Sequence, residues 1–227
     1  MIARHKLRLA VLISGRGSNM EAIARACAQQ TIEAQIVRVI ADRADAAGIA
    51  IAQRMGLARI VIERARYHNR DEHELAVCDA IDGCEAGLVA LAGYMRILSP
   101  AFVQKYAGRL LNIHPSLLPA YKGLHTHRRV IENGEREHGS SVHYVSAGLD
   151  AGPVICQTRV AVTPEDTEQT LAARVLVGEH TIYPLVIGLI ATGRVQLSGD
   201  RVMFDDRPLA APLTDDDPLL RAAPSHV

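Results

Sequence analysis

Tryptophan is absent from this 227-residue chain and phenylalanine occurs only twice. A core built without large aromatic rings must be filled by aliphatic side chains and by some of the six tyrosines, whose hydroxyls need partners when buried. Excess charge of either sign is also missing: 25 Lys and Arg face 25 Asp and Glu, and the pI is near 7.2. That balance removes the electrostatic footprint of a dedicated nucleic-acid binder, so an anionic ligand has to be held by local groups. Cysteine is scarce. Cys27, Cys78, Cys84 and Cys156 form no C-x-x-C pair, which argues against a zinc ribbon or a disulfide framework and for reduced thiols in the cytoplasm. No apolar run reads as long enough to span a membrane. The apolar stretch from Leu7 to Ile13 enters Ser14-Gly15-Arg16-Gly17 without a small-residue cleavage site, so it reads as a strand and not as a signal segment.

What is present is an alternation of short apolar runs with longer helical patterns. Strands are expected at Leu7–Ile13, Gln35–Ala41, Arg59–Ile62 and Gly87–Ala92, and helices at Ser18–Gln29, Ala46–Met55 and Asn69–Asp82. Continuous runs such as L-V-A-L-A suit strands buried on both faces. The expected fold class is therefore α/β: a mostly parallel twisted sheet with helices on both faces, Rossmann-like in its N-terminal half. Ser99-Pro100 reads as an N-cap followed by Pro in the first turn of a short helix. Further on, Ser141–Val145 and Val154–Val162 are β-rich, and a helical pattern runs from Thr167 to Ala191, with Pro184 expected to kink or restart it. Ser198-Gly199-Asp200 reads as a hairpin turn. Residues 1–204 form one expected domain with halves at about 1–105 and 106–204. The Pro- and Asp-rich tail, 205–227, is expected to be poorly ordered or draped over the surface.

Several segments carry chemistry. Ser14-Gly15-Arg16-Gly17-Ser18-Asn19 lies between a strand and a helix, where free N–H groups and the positive end of the helix dipole suit a phosphate. It is no Walker A loop, and Met20 stands where a dinucleotide fingerprint has its third Gly, so a plain turn with a Ser18/Glu21 capping box explains it equally well. In Asn112-Ile113-His114-Pro115 an extended backbone puts Asn112 and His114 on one face, and Pro115 keeps His114 extended. An amide donor beside an imidazole can stabilise an oxyanion and move a proton, although a polar strand end satisfying backbone groups is the commoner outcome. His125, His127, His138 and His143 raise the question of zinc; with no carboxylate to complete a ligand set, His127 and His138 read as surface residues. Asp150 reads as a turn apex, and Arg70 and Glu179 as solvated charges. Gly93–Leu98 follows a buried strand at its carboxyl end, where α/β sheets place ligands.

Taken together, S-G-R-G-S-N, L-A-G-Y-M-R-I-L-S-P, L-L-N-I-H-P-S-L-L-P, G-L-H-T-H and L-D-A-G-P-V-I closely resemble the phosphoribosylglycinamide formyltransferase family, over about Leu9 to Gly193. The resemblance implies a formyltransferase fold with a nucleotide-binding first half and a catalytic, folate-binding second half. It implies formyl transfer from 10-formyltetrahydrofolate, as co-substrate, to the amine of glycinamide ribonucleotide, without a metal. Asn112, His114 and Asp150 correspond to the catalytic trio. Gly17, Ser18 and Asn19 correspond to the phosphate loop, and Glu179 to a ribose contact. Arg70, the segment Met95, Arg96, Ile97 and Leu98, Asn112 and the loop 146–150 correspond to the folate side, and His143 to an accessory histidine. The implied partners are these small molecules, with no nucleic acid and no membrane, for a cytoplasmic monomer or homodimer. Formyltetrahydrofolate deformylase and methionyl-tRNA formyltransferase share this kind of domain but are expected to carry an additional one, which the length disfavours. A non-catalytic nucleotide-binding module would leave Asn112, His114 and Asp150 without a shared task.

Overall fold

The structure, a computed structural model, describes residues 6–221. They divide into two compact units that meet in the chain between Asn112 and Ile113. The first contains β1 (Leu7–Ile13), α1 (Ser18–Ala28), β2 (Ala34–Ala41), α2 (Ala47–Arg54), β3 (Arg59–Val61), a 3-10 turn at Arg64–Arg66, α3 (Arg70–Asp82), β4 (Leu88–Leu91), α4 (Pro100–Lys105) and most of β5 (Leu110–His114). Its strands stand in the order β5-β4-β1-β2-β3, with every neighbouring pair parallel. Leu9 to Ile13 and all of β4 are buried, as the continuous apolar runs require of strands covered on both faces. Chain order reverses between β1 and β4. In an open parallel sheet the loops leaving two such strands form the ligand crevice, here 14–17 and 92–99.

The second unit continues with α5 (Thr126–Glu132), β6 (Glu137–Tyr144), β7 (Val154–Ala161), α6 (Glu168–Ala191), β8 (Val195–Ser198), β9 (Arg201–Phe204), β10 (Arg207–Pro208), β11 (Leu213–Thr214) and α7 (Pro218–Arg221). β6 and β7 are antiparallel, and β11 adds to β7 in parallel. A separate small sheet is formed by β8, β9 and β10, with Ser198 paired to Arg201 across the expected turn. The long helix α6 packs on β6 and β7 with Leu171, Val175, Glu179, Ile182, Tyr183 and Val186 inward, the spacing of one helical face.

Several expectations change. α6 is by length and composition long and apolar enough to cross a membrane, contrary to the reading that no such run exists; its apolar face is the one turned to β6 and β7. Pro184 neither breaks nor restarts this helix, which is one element through residue 191. β6 starts at Glu137, because His138 and Gly139 extend the ladder to β7. The tail segment 205–221, expected to be poorly ordered or draped over the surface, is attached to β7: Leu213 is 1% exposed and pairs with Cys156, and Thr158 donates to Asp215. One apolar side chain in a polar stretch anchors it, a signal that composition averages away. Residues 222–227 lie outside the described residues.

Candidate active site

The loop after β1 is shaped by two glycines. Gly17 is the N-cap of α1 at φ 75°, and a Cβ on it would lie 2.5 Å from the Cα of Gly48, whose own N–H donates to the Gly15 carbonyl at 3.0 Å. Only glycine meets both demands at position 17. The capping box offered as an alternative does not form: Ser18 is already helical, no side chain caps the helix, and Glu21 pairs with Arg25 instead. Asn19 is buried in the first turn. The helix thus begins with main-chain N–H groups at a glycine corner, the arrangement that suits an anion.

Ser14 fastens this loop to the one after β4. Its N–H donates to the Gly93 carbonyl at 3.0 Å, and its Oγ accepts the Met95 N–H at 2.8 Å. Met95 therefore offers its carbonyl, not its N–H, to a ligand. The Met95 and Ile97 side chains are 71% and 77% exposed, while Arg96 gives its Nε–H to the buried carboxylate of Asp42. At the far end of the segment Ser99 caps α4 by accepting the Phe102 N–H, and it donates both its own N–H and its hydroxyl to Glu74. Arg70 opens α3 with its Nε 3.9 Å from both Asp71 and Glu74; its side chain is half exposed. Arg70, Arg96, Ile97 and Leu98 line one cavity of about 260 Å³.

On β5, Asn112 and His114 share a face, as the alternation predicts, with Asn112 half-buried and His114 buried. The His114 ring is held at both nitrogens. Nε2 donates to the Tyr121 carbonyl at 3.0 Å, and Nδ1 lies 3.4 Å from Asp150 Oδ2. Both neighbours are oxygen acceptors, so each is a partner for a ring N–H. Asp150 sits at φ 43°, and its Oδ2 also accepts the Gly123 N–H at 2.9 Å. The turn it occupies depends on Gly152, where a Cβ would lie 1.8 Å from the Tyr144 carbonyl oxygen. His143 stands on the other side of Asp150, with Nε2 3.9 Å from Oδ1 and Nδ1 donating to the Tyr144 carbonyl at 2.9 Å. Burial pushes its ring below the usual imidazole range, so it faces Asp150 as a neutral group.

The sequence reading missed what steadies the segment after His114. Ser141 Oγ donates to the Ser116 carbonyl at 2.7 Å and accepts the Leu118 N–H, and Gln157 donates to both Ser141 Oγ and the Leu118 carbonyl. Gln157 is a polar residue on the largely apolar β7, whereas Ser141 lies on β6, which is polar along most of its length.

Two residues read as surface groups are not. His138 is 1% exposed and hydrogen-bonds His127 between ring nitrogens at 3.0 Å; burial pushes it down to about 4. Glu179, taken as a solvated charge, is 8% exposed on the inward face of α6. Among the described residues no group of three or more His, Cys, Asp or Glu is placed to hold a metal ion. The structure thus gathers His114, Asp150 and His143 in the second unit, and joins the Gly17 loop to Met95 and groups Arg70 with Arg96, Ile97 and Leu98 in the first. Glu179 is on α6, in the second unit.

A parallel sheet with a glycine corner at its switch point, and a strand that carries a half-buried Asn112 and a buried His114 next to a carboxylate, are compatible with a group-transfer enzyme. The formyl transferase family matches residues 7–187, and the chain belongs to that family. Two bacterial relatives carry the name phosphoribosylglycinamide formyltransferase. The protein of that name from Escherichia coli is 47% identical over 203 residues, covering 89% of this chain and 96% of its own length. The one from Haemophilus influenzae is 42% identical over 202 residues, covering 89% and 95%. The solved structure of phosphoribosylglycinamide formyltransferase from Coxiella burnetii, in complex with CHES, matches with a TM-score of 0.88 at 45% identity, over 92% of this chain and 99% of that one.

Proposed function

We propose that the chain transfers the formyl group of 10-formyltetrahydrofolate to the amine of 5'-phosphoribosylglycinamide, giving phosphoribosyl-N-formylglycinamide and tetrahydrofolate in purine biosynthesis. The observation that carries this reading is His114, buried beside Asn112 on β5 with both ring nitrogens against oxygen acceptors and one of those acceptors the carboxylate of Asp150. The amine attacks the formyl carbon, and negative charge develops on the formyl oxygen. Asn112 and His114 donate to that oxygen, each worth roughly 2.7–4 kcal/mol in the transition state. Asp150 holds Nδ1, so the N–H that turns to the substrate is Nε2–H, exchanging the Tyr121 carbonyl for the formyl oxygen. Asp150 also receives the proton from the attacking amine, through water, and returns it by the same route to the leaving nitrogen of tetrahydrofolate as the carbon–nitrogen bond breaks.

The remaining roles follow the same chemistry. Gly17, Ser18 and Asn19 hold the phosphate at the start of α1, and Glu179 bonds the ribose hydroxyls. Arg70, Arg96 and the main chain of Met95, Ile97 and Leu98, with Asn112, take the folate, and His143 supports Asp150 as a neutral neighbour. The chain works in the cytoplasm as a monomer or homodimer. Purified protein given 10-formyltetrahydrofolate tests the reading: tetrahydrofolate forms only when phosphoribosylglycinamide is added. Equal formyl loss without the acceptor would make the protein a deformylase and overturn the assignment.

A further inference from the structure

The chain that leaves β5 at His114 returns to the same side chain at Tyr121, whose carbonyl accepts from His114 Nε2 at 3.0 Å. Whatever fixes the backbone of 115–121 therefore fixes where that imidazole points. Inside the segment the Ser116 N–H donates to the His114 carbonyl at 2.8 Å, Ser116 Oγ to the Ala120 carbonyl at 2.8 Å, and the Ala120 N–H to the Leu117 carbonyl at 3.0 Å. These bonds shape the turn without tying it to the sheet. The Tyr121 hydroxyl bonds Glu135 and Asn133, but at the surface.

The buried tie is made at the Leu118 peptide. Its N–H donates to Ser141 Oγ at 3.1 Å, and its carbonyl accepts one N–H of the Gln157 amide at 2.9 Å. The amide nitrogen also donates to Ser141 Oγ at 2.8 Å, and that hydroxyl gives its own proton to the Ser116 carbonyl at 2.7 Å. With its one donor and two acceptor sites filled, the hydroxyl has no capacity left. Two N–H donors on one nitrogen, and no charge to bury, suit the glutamine amide to position 157. Its backbone is held on both edges, by Ser141 directly opposite on β6 and by Thr214 of β11. The tie is therefore as rigid as the sheet.

We propose that Gln157 is a positioning residue for the His114 imidazole, acting through the Leu118 peptide. The inference rests on the proposed reaction, in which His114 exchanges the Tyr121 carbonyl for the formyl oxygen. A slack segment lets the ring wander from the place where its Nε2–H meets that oxygen, which slows transfer. The groups proposed to hold the two substrates lie on other segments, so the loss falls on kcat and leaves KM nearly unchanged.

Single-turnover transfer with enzyme in excess tests it, because that rate constant belongs to the folded molecules and is unmoved by a fraction that unfolds. Gln157→Met lacks a donor, and the isosteric Gln157→Glu puts acceptors where the N–H pair stood. Each is expected to slow transfer roughly 10- to 100-fold, with both KM values within about threefold of wild type. Leu213→Ala removes a buried side chain beside Cys156 without touching the network, and is expected to lower Tm yet keep the wild-type rate. Amide hydrogen exchange without substrate reads the tie itself: Ser116, Leu118 and Ala120 are expected to exchange faster in both Gln157 variants than in Leu213→Ala. A rate within about threefold of wild type in both Gln157 variants, an equal slowing in Leu213→Ala, or no faster exchange at these amides overturns the inference. Wild type that passes no formyl group to phosphoribosylglycinamide sinks the proposed function instead, while the exchange rates still decide whether Gln157 holds the segment.

Discussion

Asp150 faces His114 across 3.4 Å, and the oxygen that does so also accepts the Gly123 N–H at 2.9 Å. One carboxylate thus orients the imidazole and pins the loop whose Tyr121 carbonyl meets the other ring nitrogen. The two tasks separate by substitution. Asp150→Asn keeps an oxygen for Gly123 and removes the charge, whereas Asp150→Ala removes both. Each is expected to lower kcat by roughly 100-fold or more, and His114→Ala by roughly 100- to 1,000-fold. Only Asp150→Ala is expected to speed hydrogen exchange at the Gly123 amide. An Asn variant within a few-fold of wild-type kcat would remove Asp150 from the chemistry.

Gly17 lies in the loop proposed to hold the other substrate. A methyl group there meets the Gly48 Cα at 2.5 Å on a backbone at φ 75°. Gly17→Ala is expected to cost about 1–3 kcal/mol of stability and to raise the KM for phosphoribosylglycinamide more than that for the folate. Thermal unfolding and the two KM values check this; equal changes in both KM values would detach the loop from phosphate binding.

Acid sensitivity has a specific source in the His127–His138 pair. His138, pushed down to about 4 by burial, lies below the ordinary value of an unfolded chain, ~6.5. The unfolded state then takes up the proton first, so stability is complete above about pH 6.5 and falls as the pH drops toward 4. The loss from this residue is at most about 3 kcal/mol. Burial lowers His127 and His143 as well, so they add to the slope. Urea unfolding between pH 7 and 4 is expected to show the decline, and His138→Gln a shallower one; identical slopes would contradict this account of the pair.

Leu213 tests the tail. It is fully buried beside β7 through its pairing with Cys156. Leu213→Ala is expected to cost about 2–3 kcal/mol and lower Tm by several degrees. An unchanged Tm would mean the segment contributes nothing to the fold.

Where periodicity reports burial, the sequence was a good guide. β1 runs from Leu7 to Ile13 as read, Ser99 caps α4, and the helices read from Asn69 and Thr167 start one residue later, at Arg70 and Glu168. Asn112 and His114 share a face because strand alternation is purely local. What escaped is set by packing between distant segments. His138 and Glu179 are polar residues that tertiary structure buries, and nothing in their neighbours' identities announces it. The Ser141–Gln157 network joins three separate stretches of chain, so no window contains it. Gly17 was legible as a glycine in a βα turn, but its reason, the approach of Gly48 from the next helix, was not.

The central claim is that His114, Asn112 and Asp150 move a formyl group from folate to an amine and not to water. Its most direct test follows labelled formyl in 10-formyltetrahydrofolate through a single turnover with phosphoribosylglycinamide. The account predicts one labelled phosphoribosyl-N-formylglycinamide for each tetrahydrofolate formed, with the rate falling at least 100-fold in His114→Ala. Label recovered as free formate, or transfer undiminished in His114→Ala, would contradict it.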